Sequence, residues 1–510
     1  MLEKTLNNRR IAKNTVMLYI RMLFLMLVSL YTSSVILNAL GVEDYGIYNV
    51  VAGVVTMFSL LSGSLSSAIS RFLSFELGKG RRQQLNIIFS TSVTIQAIIA
   101  LFIILLAETI GLWFVNEKLT IPPDRLGAAN WCYQFSIITF VVNLIYIPYN
   151  AAIIAHEKMS AFAYISILEA LGKLIVAWCI GINPIDKLIF FAAMVAVIAW
   201  SICIIYIYYC KHHFEECGYH ICYNRDLMRQ MFGFAGWNFI GVAASVLRDQ
   251  GGNIIINIFC GPAVNAARGI TTKVNSAING FVQNFMIALN PQIIKSYASD
   301  NKEYMMNLIF QGARFSFYLL FLLSLPVFSK TYYILSLWLK IVPDHSVNFI
   351  RLILIFSLHE SLATPLITAM LATGRIKKYQ IVAGGINLLN LPVSYIALRT
   401  GFEPEVVMVI AIFFSLVVQI ARMILLKKMI GLKITEYIQK VYVNVGIVAL
   451  LSSMILLLTF KITDNTITGL LLSSFLSASW TGLVIWQIGM DRKERHIISS
   501  KVIKLLNSKI

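Results

Sequence analysis

Charged side chains stand where this chain can least tolerate them. Within stretches built of Leu, Ile, Val, Phe and Ala lie Arg21, Arg71, Arg248, Arg268, Lys273, Arg314, Arg351 and Arg422, set against Asp249, Glu76, Glu169 and Glu360. An ionised group at the centre of a bilayer costs from about 2.5 kcal/mol upward, so it faces a partner or a wet cavity. A guanidinium fork donates two hydrogen bonds at once, which suits phosphate. A cavity lined by Arg21, Arg71, Arg248, Arg268 and Lys273, with Asp249 and the more terminal Glu76 in the minority, would draw in an anion, above all one that bears phosphate. Simpler fates are open to some of these residues. Glu169 and Lys173 are spaced i,i+4 in the favourable order for pairing. Arg71, Arg314 and Arg422 lie within two or three turns of an expected helix end, from which a long side chain can snorkel. Arg248 and Asp249 leave a helix about 100° apart and are expected to need separate partners or water. Asp249, Glu169 and Glu360 are the candidates for binding a coupling proton or sodium ion.

Polar, uncharged residues accompany the cations. Asn275, Asn279 and Gln283 recur every four residues, a stripe that would be costly against lipid and so is expected to face inward, towards a sugar or a neighbouring helix. "SLLSGSLSSAIS" (59–70) and "TTKVNSAINGFVQN" (271–284) suit close helix packing through small residues, or a hydrated wall of hydroxyls and amides.

The elements that must position these groups are membrane helices. Of 510 residues 58% are hydrophobic and 13% charged, where soluble domains carry about 25%; mean hydropathy is +0.76. Crossing a bilayer takes about 20 mainly apolar residues. Fourteen such spans are expected, near 14–40, 45–77, 85–112, 126–153, 160–181, 187–209, 231–259, 263–297, 305–329, 345–373, 378–399, 404–426, 440–460 and 466–489. The fold class is thus an all-α polytopic membrane protein. Its parts are an N-terminus (1–13), a first six-helix bundle (14–209), a loop (210–230), a second six-helix bundle (231–426), spans 13 and 14 (427–489) and a basic tail (490–510). Most of the 42 Lys and Arg fall on the side of the two termini, while the opposite turns hold Lys118, Arg125, Lys187, Lys330, Lys340, Arg399 and Lys461. That asymmetry puts both termini in the cytoplasm. A shift of 220 residues lays Gly41 on Gly261 and repeats the helix layout, as in transporters built from two halves.

Other classes lose ground on the same grounds. The net charge of +18 lies between apolar runs, so nucleic acid is not expected as a partner. No loop is long enough to fold as a catalytic domain, so the chain is expected not to be an enzyme, and a polymerase with a large external loop is disfavoured. The nucleotide-binding pattern G-x-x-x-x-G-K-[ST] is absent, so a proton or sodium gradient, the membrane potential or product consumption would supply the drive. No cofactor is expected. Cys210, His212, His213, Cys217, His220 and Cys222 share the 210–230 loop without the spacing of a zinc knuckle, and no metal is expected there. Cys132, Cys179, Cys203 and Cys260 sit in or beside apolar segments as small hydrophobes. The tail 491–510 alternates apolar and basic residues as a surface-lying amphipathic helix would.

One turn stands apart, "LNALGVEDYGIYNVV" (37–51). Gly41 and Gly46 let the chain reverse, and Asp44 is placed to cap the next helix, with a gating role as the alternative. Together with the S-x-x-x-x-R-F of 66–72 ("SSAISRF") and the preceding helix, this turn resembles the N-terminal region of bacterial polysaccharide-biosynthesis membrane proteins of the O-antigen flippase type, in the superfamily of multidrug and toxin extruders and lipid II flippases. The resemblance implies two six-helix bundles in a V shape plus two C-terminal helices, and alternating access. The implied substrate is an undecaprenyl-pyrophosphate-linked oligosaccharide for O-antigen, lipopolysaccharide or capsule, moved from the cytoplasmic to the periplasmic leaflet of the inner membrane, with other polysaccharide-assembly membrane proteins as partners. The family's cavity cations would correspond to Arg21, Arg71, Arg248, Arg268 and Lys273, and Asn275, Asn279 and Gln283 would face the sugar. The rival readings are a lipid II flippase, a multidrug/cation antiporter of the same fold, and a non-transporting scaffold.

Overall fold

The computed structural model describes residues 2–495 other than 42–43, 45–46, 49–50, 53–54, 56–58, 118–120, 183–185, 221–223, 340–341, 463–465 and 493. The described chain is helical throughout, without a strand. Its long helices are α1 (Leu2–Leu40), α2 (Ser59–Lys79), α3 (Arg82–Leu106), α4 (Leu126–Ala155), α5 (Met159–Cys179), α6 (Lys187–His213), α7 (Arg225–Ala298), α8 (Lys302–Ser329), α9 (Ser346–Thr373), α10 (Lys377–Arg399), α11 (Val406–Ile430), α12 (Asn444–Ile462) and α13 (Ile467–Val484). Among the described residues 11 helices are long and apolar enough to cross a membrane. The expected spans beyond these are the first, whose apolar part is Asn14–Ser29, the serine-rich second, and the eighth, which lies within α7. The turn expected near 260–262 is instead helical, since backbone hydrogen bonding is α-helical from Arg225 to Ala298. Gly261 and Pro262 stand there without a run of polar loop residues, and membrane helices tolerate such breakers. The expected tail helix lies outside the described residues.

By internal contacts the chain forms two compact units. The first comprises Met1–Val242 and Ile287–Asn301, the second Ala243–Met286 and Lys302–Ile510. In the first, α1 packs on α5, α4 on α6, and α2 on α3 and α4. Tyr133 of α4 is fully buried and donates to the carbonyl of Ala107 at 2.8 Å. Ala107 opens a π turn, Ala107–Gly111, that extends α3, and a Cβ at Gly111 would lie 2.0 Å from the Tyr133 hydroxyl. The wider turn and the missing side chain together make room for the ring. In the second unit α8 packs on α9, α12 and α13, α9 on α11, and α10 on α11.

The first unit is pinned by one buried carboxylate. Glu157, in the turn between α4 and α5, has φ 60° and a side chain with 0% exposure. It accepts from Gln292 Nε2 and Lys295 Nζ of α7, each at 2.6 Å, while its carbonyl accepts from Asn14 Nδ2 of α1 at 3.1 Å. Beside it, a Cβ at Gly78 of α2 would stand 2.7 Å from the Cα and carbonyl oxygen of Lys295. Backbone cannot swing aside as a flexible side chain does. Gly78→Ala is therefore expected to lower the melting temperature of the purified protein, at a cost of about 1–3 kcal/mol. Gly127→Ala, with nothing within 4 Å of the added Cβ, should melt at or slightly above the wild-type temperature, because Ala is the better helix former. Equal melting of Gly78→Ala and wild type would show that α2 and α7 do not meet this closely.

Candidate functional site

The turn at 37–51 is held by a clamp. Gly41 has φ 82°, a left-handed conformation suited to glycine; Gly46 lies outside the described residues. Arg125, just ahead of α4, grips Asp44 bidentately, Nε to Oδ1 at 2.8 Å and Nη2 to Oδ2 at 2.6 Å. Its Nη1 reaches Oδ2 of Asp186 at 2.5 Å. Asp186 in turn caps α6, accepting from the amides of Leu188 and Ile189. Partial burial works against ionisation of Asp186, but the Arg125 guanidinium and these amides outweigh it and hold its pKa below the ordinary value. The hydrogen bonds that Arg125 donates to Asp186 and Asp44 correspondingly raise its own pKa. The sequence marked Asp44 as a cap and Arg125 as a loop charge. Their pairing, 81 residues apart, leaves no local signal.

In the first unit the candidate cations have different company. Arg21 of α1 is half-buried with its guanidinium 4.2 Å from the centre of the Phe162 ring. Its Nε is buried without a hydrogen-bond partner, and no ion pair to Arg21 occurs among the described residues. Glu169, Tyr146 and Tyr206 lie within electrostatic reach, but Glu169 is taken by Lys173 at 2.6 Å, the i,i+4 pair expected from the sequence. Arg71 of α2 is buried, 8% exposed, among Phe72, Phe75 and Phe234 at 4.7, 4.7 and 5.7 Å. It stays inside an aromatic cage, where cation–π attraction offsets part of its desolvation, and does not snorkel.

In the second unit Arg248 and Arg268 gather around Asp249. Contrary to the expectation from helix geometry, adjacent Arg248 and Asp249 pair, Nε to Oδ1 at 2.9 Å, because the arginine stem is long enough to wrap back. Arg268 is buried and donates to Asn253 Oδ1 at 3.1 Å and to the sulfur of Met408. Lys273 is exposed. Asn275, Asn279 and Ser357 of α9 close a ring of hydrogen bonds of 2.8, 3.2 and 2.6 Å, so two of the three stripe residues tie α7 to α9, and Gln283 is exposed. Glu360 accepts from Ser415 Oγ at 2.7 Å and faces Arg422 at 3.8 Å; His359 Nδ1 meets the same Ser415 hydroxyl at 2.6 Å. Arg422 also donates to Tyr379 and Gln419. Arg314 is held by Glu494 at 2.6 Å, by Asp491 at 3.4 Å and by the Gly489 carbonyl at 3.2 Å. Arg314 and Arg422 are 4% and 5% exposed, so neither snorkels. The sequence missed this use of Arg314, because its partners lie about 180 residues away.

The cysteine- and histidine-bearing loop folds onto α3, where Asn86 Nδ2 donates to the carbonyls of Glu216 and Gly218 at 3.0 and 2.8 Å. Its side chains have separate partners. Cys210 and Cys217 are buried side by side, His156 pairs with Glu216, and His213 stacks on Tyr209. Among the described residues no three of the His, Cys, Asp and Glu side chains are placed to hold a metal ion; Cys222 lies outside them.

Many apolar helices with cations turned inward define a multi-pass membrane protein, and its fold is that of MATE transporters. The chain aligns with a MATE solved in the straight conformation at a TM-score of 0.72 and 11% identity, over 83% of this chain and 96% of that one. It aligns with a MOP superfamily transporter from Pyrococcus furiosus Vc1 (DSM3638), described as having a binding pocket of reverse polarity, at 0.67 and 11% identity, over 82% and 96%. Residues 11–297 match the family described as Polysaccharide biosynthesis protein, more than half the chain, and the protein belongs to that family. EpsK of Bacillus subtilis (strain 168), described as an uncharacterized membrane protein, is 24% identical over 124 residues, 24% of each chain.

The clamp carries its own prediction. Arg125→Ala leaves two carboxylates facing each other, and an Asp44→Asn/Arg125→Ala double-mutant cycle should return a coupling of about 1–3 kcal/mol in thermal unfolding. Because the pKa of Asp186 is depressed in the fold, its contribution is present above the ordinary aspartate value near pH 4 and is lost as pH falls through the lower folded value. Asp186→Asn should therefore flatten the acid limb of the stability profile; an unchanged limb would mean that Asp186 is not clamped.

Proposed function

We propose that the protein is a flippase carrying an undecaprenyl-pyrophosphate-linked oligosaccharide from the cytoplasmic to the periplasmic leaflet of a bacterial inner membrane, with both termini in the cytoplasm. The family and the transporter fold support movement of a polysaccharide precursor over catalysis. The observation that carries the anionic substrate is Arg21. It is a half-buried guanidinium in a membrane helix with an unpartnered Nε, and Glu169, the carboxylate within its electrostatic reach, is already paired with Lys173. A permanent cation kept in that state is poised for an anion from outside the protein, and a pyrophosphate takes both arms of the fork. The excess of Arg21, Arg71, Arg248, Arg268 and Lys273 over Asp249 and Glu76 in the sequence favours an anion over a cation as the substrate.

Transport proceeds by alternating access in this reading, without ATP. The chain His359, Ser415 and Glu360, closed by Arg422, joins an imidazole and a carboxylate through one hydroxyl inside the second unit. Such a chain can take up and release a proton, and it is the strongest candidate for coupling to a gradient; Asp249 and Glu169 are engaged by Arg248 and Lys173. A multidrug/cation antiporter would favour an acidic lining, which these cations oppose, and a lipid II flippase would differ only in its sugar.

Loss of one charge-assisted hydrogen-bond donor costs about 1.5–3 kcal/mol, roughly ten- to a hundredfold in affinity. Arg21→Ala is expected to reduce surface glycan at least tenfold at unchanged protein level in the membrane, with Arg21→Lys in between because it keeps the charge and loses the fork. Wild-type glycan in cells making normal amounts of Arg21→Ala would falsify the assignment of Arg21 to pyrophosphate.

A further inference from the structure

One face of α4 carries a run of polar residues between Ser136 and Asn150. Ser136, Thr139, Asn143 and Asn150 follow each other at intervals of three, four and seven residues, which keeps them on a single helical stripe. In the first unit that stripe opens on two adjoining cavities. One, of about 130 Å³, is lined by Ser136, Thr139, Phe140 and Asn143, with Tyr48 opposite. The other, of about 250 Å³, is lined by Phe140, Asn143, Tyr146 and Asn150, with Ser66 of α2 opposite. Phe140 and Asn143 belong to both walls.

The hydroxyls of Ser136 and Thr139 donate to the carbonyls of Cys132 and Phe135, each at 2.8 Å. The rest of the stripe is unspent. Asn143 and Ser66 have no hydrogen-bond partner among the described residues, and the side-chain oxygen of Asn150 is buried without one. An unpaired amide inside a membrane helix costs several kcal/mol, so a cavity edged by two amides and a hydroxyl is built for something that hydrogen-bonds there. Among the described residues the lining has neither carboxylate, ammonium nor guanidinium, and an ionic group would find no counter-charge there. Amides both donate and accept, as sugar hydroxyls do, and Phe140 and Tyr146 add aromatic surface to the lining. Tyr146 stands besides within electrostatic reach of Arg21, so the cavity adjoins the cation assigned to pyrophosphate.

We propose that the cavity along α4 seats an uncharged sugar residue of the transported glycan, with Asn143, Asn150 and Ser66 as its hydrogen-bonding groups. This rests on the flippase reading and adds to it the subsite and the neutrality of the sugar held there. The test uses the full chain in nanodiscs with two probes, undecaprenyl pyrophosphate and the same lipid bearing one neutral hexose, titrated by native mass spectrometry. Wild type is expected to prefer the glycosylated lipid. Asn143→Ala and Asn150→Ala should each weaken it about tenfold, or roughly 1.4 kcal/mol, and leave the bare lipid unchanged. Should these variants fail to fold, the thiol introduced by Ser66→Cys serves instead, its reaction with a small methanethiosulfonate being slowed by the glycosylated lipid and not by the bare one. Equal wild-type affinity for both lipids, an unprotected thiol, or equal loss of both lipids in the alanine variants would overturn the sugar subsite while the flippase reading stands. Binding of neither lipid by wild type would overturn both.

Discussion

A guanidinium inside an apolar helix has to be solvated by the protein itself, and that constraint organises both units. Arg314 is buried because Glu494 and the Gly489 carbonyl reach it; Arg422 because Glu360, Gln419 and Tyr379 surround it. Arg71 is wrapped in three aromatic rings, and Arg268 spends its donors on Asn253 and Met408. These residues act as struts, since removing one partner of a buried charge leaves the other unpaired at a cost of about 3–5 kcal/mol. Arg21 in the first unit and Arg351 in the second differ from these: each has a ring beneath it, Phe162 and Phe328, and among the described residues neither has an ion pair.

The same electrostatics is used at the helix ends. Arg125 ties the turn after α1 to the starts of α4 and α6, and Glu157 ties Asn14 of α1, the turn after α4 and the far end of α7. Both devices join segments remote in sequence, and both are bidentate or multiply bonded, which fixes direction as well as distance. They secure the frame from which the α4 stripe and Arg21 project. Small residues complete it where helices close in, as at Gly78 against Lys295.

Helix positions were legible because hydropathy is a local property, and apolar runs of this length have few other fates. Interior charges were legible for the same reason, being anomalies against an apolar background. Their partners were not: Asp44 and Arg125, or Arg314 and Glu494, are joined only by the tertiary fold. The pairing of Arg248 with Asp249 went against the helical wheel, which places Cβ atoms and ignores the reach of a long side chain. The continuity of α7 was hidden by Gly261 and Pro262, which read as a turn in water and are tolerated in a bilayer. The α4 stripe was within reach of the sequence, as a three-and-four spacing of Ser136, Thr139, Asn143 and Asn150. It was masked by an apolar majority that reads as an ordinary span.

That stripe and Arg21 bear on one another through Tyr146. The ring of Tyr146 stacks on Tyr206 at 5.0 Å and 5°; both tyrosines lie within electrostatic reach of Arg21, and Tyr146 also lines the larger cavity. In a lipid-linked glycan the pyrophosphate and the first sugar are covalent neighbours, so a protein that holds both needs an anion site and a neutral hydrogen-bonding site within one sugar's reach. A cation and a row of unpaired amides meeting at a shared tyrosine have that order. The division of labour is also a matter of dielectric. Placing a charge among the α4 amides would give it no counter-ion, while placing the sugar on Arg21 would leave the guanidinium's charge uncompensated. Each chemistry therefore favours its own end of the unit, and the substrate would be read in one direction, phosphate towards α1 and sugar along α4.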